Sequence, residues 1–153
     1  MRSFPTGLFA TMVGRENGGG GADDFAIGYM NDGTVTSDLV TTGDFDIPSA
    51  KITLDTWVHL GLTFDGITMT QFQDGAAQTT TPVTGAVAQS ANPIFLGADS
   101  ESLPQSPDDE YVDGQIDELR IDSVARTPAW IAADHASQTD AWIRYGAAET
   151  GPF

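Results

Sequence analysis

The 153-residue chain carries 22 Asp and Glu against 6 Lys and Arg, a formal charge of -16, with 40% hydrophobic residues and no cysteine. That apolar content fits one folded core of ordinary domain size rather than a disordered chain, and the missing thiols exclude disulfides and thiolate metal sites. A field this acidic repels phosphate backbones and anionic membranes, so nucleic acid is excluded as a partner, whereas divalent cations, neutral sugars and a plain solubility role stay open.

In chain order, the opening MRSFPTGLFATMVG holds a short apolar patch broken by Pro5, Thr6 and Gly7, too weak a pattern for a signal peptide. No apolar run approaches the roughly 20 residues of a membrane helix, so no membrane insertion is expected. Residues 8–13 read as a strand. Residues 16–24, with Gly18 to Gly21 in a row, read as a surface loop; no Lys-Ser/Thr pair or helix follows, so they form no phosphate cradle. Strands follow at 25–30 and 34–40, joined by Asn31-Asp32-Gly33.

The clearest alternation spans 57–64, where Val58, Leu60, Leu62 and Phe64 share one parity and Trp57, His59, Gly61 and Thr63 the other. Asp65-Gly66 then separates it from a strand at 67–73, a strong hairpin signal because both turn positions tolerate positive φ. Asp74-Gly75 closes that strand. Further strands are expected at 93–96, 112–121 and 142–147, and residues 99–113, rich in Pro and carboxylates, form a loop. One helix is predicted over 127–138, with Thr127 as N-cap and Pro128 at the first helical position. The fold class is therefore all-β: one domain over 1–153, a two-sheet antiparallel β-sandwich with one short C-terminal helix and a closing strand at 141–148.

Three blocks carry a family resemblance. Trp57-Val58-His59-Leu60-Gly61-Leu62-Thr63-Phe64-Asp65-Gly66 with Phe72-Gln73-Asp74-Gly75, then Pro93-Ile94-Phe95-Leu96-Gly97, then Gly114-Gln115-Ile116-Asp117-Glu118-Leu119-Arg120-Ile121 resemble the laminin G-like, concanavalin A-like lectin/glucanase superfamily in its bacterial and phage branch. The resemblance implies a jelly roll. It also implies a first strand of the F-T-x-x-x-W-V-K kind, which this sequence does not show; either that strand is absent, or another chain or residues 142–147 supply it, which favours a homo-oligomer or contact with capsid or fibre proteins. Trp57 and Trp130 are expected in the core.

Related glucanases place nucleophile and acid in E-x-D-x-x-E spacing, because retention needs two carboxylates about 5 Å apart. None of Glu16, Glu101, Glu110, Glu118 or Glu149 has Asp two residues on. With two histidines and no G-x-S-x-G elbow, no triad is indicated either, and His59 and His135 are expected in structural roles. The domain is therefore expected to be no enzyme.

Asp117 shares parity with Leu119 and Ile121 and points inward if those side chains enter the core, where a carboxylate needs a cation or several donors. By resemblance the cation is structural Ca²⁺, with Asp117 joined by backbone carbonyls and an oxygen from another strand or loop, and with Asp113 and Asp109 of the acidic loop as the further candidate ligands; the alternative is that Asp117 caps loop amides or meets Arg120 or Arg126. Asp108, Asp109, Glu110 and Asp113 lack EF-hand spacing and read first as a solvated acidic loop. For a sugar, Tyr111 beside that loop and an outward-facing Gln71 and Gln73 are the expected contacts. The resemblance implies a glycan-binding or adhesion module on an extracellular or virion surface, partnered by a glycan or surface protein. A structural decoration or fibre protein of a phage virion and an inactive glycoside-hydrolase remnant are the alternatives.

Overall fold

The computed structural model describes residues 1, 3–7, 9–16, 23–99 and 110–139. Two antiparallel sheets form a jelly-roll sandwich. The larger contains β1 (Phe9–Glu16), β2 (Asp23–Met30), β3 (Thr34–Val40), β4 (Asp44–Lys51) and β8 (Phe95–Leu96) in the order β4-β3-β2-β1-β8. The smaller is β5 (Leu60–Phe64), β6 (Thr68–Gln73) and β7 (Ala76–Pro82) in sequential order. The helix α1 (Pro128–Gln138) opens at Thr127, whose side chain accepts from the Trp130 amide, as the capping pattern predicts. Residues 141–148, the expected closing strand, lie outside the described residues.

The predicted turns hold for local reasons. Asp65 Oδ1 accepts from the Ile67 and Thr68 amides at 3.0 and 2.7 Å, and Gly66 takes φ +97°. Asp32 Oδ1 accepts from Thr34, with Gly33 at φ +84°. These bonds satisfy turn amides that the ladders cannot reach.

Leu39 and Ile47 from the large sheet meet Met69 and Val83, flanked by Phe25, Phe45, Leu62 and Phe64. A second cluster gathers Ala10, Tyr29, Val35 and Ile52, with Leu60 and Val112 against it. The sheets are tied along one side, where β4 packs on β7 and the Thr79 hydroxyl donates to the Pro48 carbonyl at 2.8 Å.

Two strands were not expected. β4 has Asp44, Asp46 and Pro48 between its apolar residues, but it is an edge strand, where Pro leaves no ladder bond unmade. β7 is a run of Thr and Ala without apolar alternation. Residues 112–121, expected as a strand, are not one: Ile116, Leu119 and Ile121 are exposed and no described strand pairs with them. Trp57, expected in the core, is 68% exposed ahead of β5.

Candidate functional site

Beside β8 the chain folds back along the large sheet. Gly97 donates to the Met12 carbonyl and Val112 to the Gly97 carbonyl, each at 2.9 Å, so residues 110–112 lie beside the β1–β8 edge. Thr11, fully buried, is held from both backbone and side chain: its amide donates to the Glu110 carbonyl at 3.0 Å and its hydroxyl to Glu110 Oε2 at 2.6 Å. An open cleft of about 420 Å³ results, with Leu96, Val112, Ile116 and Leu119 as apolar lining and Asp117 and Glu118 as carboxylates. Such a size and a mostly apolar lining with few polar groups suit a small ligand.

Three of the predicted site residues gather here. Tyr111, 59% exposed, precedes the lining residue Val112. Asp113 accepts from the Ser3 hydroxyl at 2.8 Å, and its backbone lies against the Tyr29 phenol, whose burial raises its pKa. Asp117 is exposed rather than inward, because Leu119 and Ile121 do not enter the core; its Oδ1 accepts from the Glu118 amide at 2.9 Å, a loop-capping role. The arginines bond elsewhere, Arg126 to Asp122 at 2.7 Å and Arg120 to Glu118 and Asp134. Asp109 and Asp108 lie outside the described residues. Among the described residues no three His, Asp or Glu side chains are grouped as metal ligands.

Gln71 and Gln73 belong elsewhere. Gln71 pairs with Leu62 and Gln73 with Leu60 across the β5–β6 hairpin, which puts both side chains on the face that meets the large sheet. Gln71 is fully buried, and neither its amide N nor its O has a partner. Polarity suggested an outward face; register with two core leucines decides the opposite.

The histidines, 76 positions apart in sequence, meet where α1 comes against the residue just ahead of β5, with ring centroids 5.5 Å apart. His59 Nε2 lies 3.4 Å from Asp134 Oδ2, and Arg120 binds the other oxygen of Asp134. One carboxylate, 11% exposed, thus joins the helix, the residue ahead of β5 and the segment that holds Arg120. No local pattern could have revealed this, since the three residues come from three elements.

A second electrostatic feature lies on β3 and β4. Asp38 pairs directly with Asp46 in register. Burial, a hydrogen bond to Asp44 and the charges of Asp44, Asp46 and Asp23 push the Asp38 carboxyl up to about 8. Burial and Asp44 also raise Asp46. By contrast, exposed Asp32 is held well below the usual carboxylate range by Lys51, 2.6 Å away.

Among the described residues no helix is long and apolar enough to cross a membrane. No curated protein matches this sequence. Among solved structures, an S-layer domain-containing protein from Clostridium thermocellum is similar over 88% of this chain and 67% of its own, at 16% identity and a TM-score of 0.44. Residues 3–132 match the profile of the laminin G type described as the concanavalin A-like lectin/glucanases superfamily. With two antiparallel sheets in a jelly roll and a match over most of its length, the chain belongs to the concanavalin A-like lectin/glucanases superfamily.

Proposed function

We propose that this domain is a non-catalytic binding module of an outer surface, cellular or viral, and that it holds a neutral glycan in the cleft between β8 and residues 110–119. The observation that carries the reading is the cleft itself, whose wall mixes apolar side chains with Asp117 and Glu118, with exposed Tyr111 one residue before its lining residue Val112. Sugars present apolar ring faces and hydroxyl edges; an aromatic face takes the first and carboxylates accept from the second. A charge of -16 selects against sulfated and sialylated chains. A calcium ion would be held by Asp113 and Asp117, two carboxylates of one segment that now accept from Ser3 and from the Glu118 amide, and would bridge the protein to sugar hydroxyls.

A glycan array probed in calcium and in EDTA, with the wild type beside Tyr111→Ala and Asp117→Asn, tests this. Neutral glycans should bind, and Tyr111→Ala should weaken binding about tenfold, the scale of one lost stacking face. Binding that survives EDTA rejects the calcium and keeps the cleft; binding that ignores Tyr111→Ala rejects the cleft.

A further inference from the structure

Among the described residues four strands have an open edge, and three of them are protected against pairing. β4 carries Asp44, Asp46, Pro48 and Lys51 and has a register irregularity opposite Thr34–Thr36. β7 ends in Pro82, is shifted in register opposite Gln71–Phe72 and packs on β4. β8 has only two residues. Charge, proline, irregularity and brevity are the devices by which proteins block edge pairing.

β5 has none of them. Its sequence, LGLTF, contains no charge and no proline, and its ladder with β6 is regular throughout. The ladder also fixes which groups are free. The Asp74 amide donates to the His59 carbonyl and the Asp65 amide to the Thr68 carbonyl, so odd-numbered residues of this strand bond to β6. In an antiparallel pair the alternate residues then direct both backbone groups away. The amides and carbonyls of Leu60, Leu62 and Phe64 therefore face the open side, and no described residue bonds to them there. Their side chains, meanwhile, are committed to the core.

We propose that the free edge of β5 is a strand-docking site for an extended, basic segment of another polypeptide. Main-chain bonds to Leu60, Leu62 and Phe64 would supply affinity, as in β-strand addition generally. The charge of the occupant follows from the surroundings. Exposed Asp55 and Asp65 flank the strand, and Arg120, which meets the carboxylate bound to His59, is engaged by Asp134 and Glu118. A second copy would bring another -16 charges, which opposes self-pairing. Exposed Trp57, three residues ahead of the strand, gives the occupant an apolar anchor. Neither Trp57 nor β5 lines the cleft, so this surface is independent of the glycan reading.

Calorimetric titration of the full chain with a short capped peptide alternating Val or Thr with Lys tests the proposal. Saturable one-to-one binding is expected, with none to the same peptide carrying Glu in place of Lys. Two peptides N-methylated in opposite alternate phases supply the decisive comparison, because they leave the protein unaltered. One phase should lose affinity at least about tenfold and the other keep it, as only one set of amides can face β5. Equal affinity in both phases, or no binding, would overturn the proposal. So would a dimer by light scattering that competes with the peptide, which assigns the edge to a second copy. Binding only to a chain ending at Thr139 would equally overturn it, assigning the edge to residues 140–153.

Discussion

Asp38 faces Asp46 directly across the β3–β4 ladder and is hydrogen-bonded to Asp44, an arrangement that two full negative charges would not tolerate at such range. With its carboxyl raised to about 8 against an ordinary 3.8, the native state holds a proton that the unfolded chain releases. A raised folded pKa contributes stability that is fully present below pH 3.8 and is lost as pH rises through 8. The shift of about four units corresponds to an upper bound of roughly 5–6 kcal/mol. Partial solvent access and an effective dielectric near 20 leave about 2 kcal/mol. Asp38→Asn keeps the neutral, hydrogen-bonding shape at every pH. The variant should match the wild type near pH 4 and exceed it by about 2 kcal/mol at pH 8.5, a rise in Tm of roughly 4–8 °C for a domain of this size. Thermal melts of both proteins across pH 4 to 9 measure it. A difference between the two that does not change with pH would refute the reasoning, as would a wild type that gains stability between pH 5 and 8.

Gln71→Met should raise stability by about 1–2 kcal/mol in urea denaturation, since the glutamine amide is buried with both polar atoms unpaired and Met has similar volume; glycan binding should not change. Gly28→Ala should cost about 2–3 kcal/mol, because the new methyl would sit 2.3 Å from the Phe9 ring and 2.4 Å from the Ala10 carbonyl oxygen, the latter being backbone that has little room to shift. Asp134→Asn should cost about 2 kcal/mol by the same assay, as Arg120 and His59 lose their shared anion, and added salt should not restore it.

What was legible in the sequence follows the range of the interactions responsible. Asp65-Gly66, Asn31-Asp32-Gly33 and the Thr127 cap are set by bonds spanning two or three residues, and each appears where the pattern places it. The parity of Leu60, Leu62 and Phe64 also held, since one face of β5 must bury them. Gln71, expected to face outward, faces the core, because its register with Leu62 fixes its face whatever its chemistry. β4 was missed because Pro48 and two aspartates disguise an edge strand as a loop. The Asp134 junction, drawn from residues far apart in sequence, depends on where α1 comes to lie against His59 and has no local signature at all. Tyr111, Asp113 and Asp117 were readable as a group through closeness in sequence. That Asp117 lines a cleft with Leu96, while Tyr111 and Asp113 only flank its lining residue Val112 in sequence, depends on the fold of the chain past β8.

The two sides of the sandwich divide the labour. Along β4 and β7 the sheets are bonded to each other, and the strands there carry proline, charge and irregular register. On the other side lie β5 and β8, with the unpaired segment 112–121 between the cleft and the Asp134 junction. Both proposed binding surfaces fall on that second side, and Asp134 contacts one residue beside each. It fixes Arg120, next to the lining residue Leu119, and it holds His59, one residue before β5 begins. If the segment and the strand edge move together, Asp134→Asn should weaken glycan and peptide binding in parallel, while Tyr111→Ala weakens only the first. Loss of one without the other in Asp134→Asn would show that the two surfaces act separately.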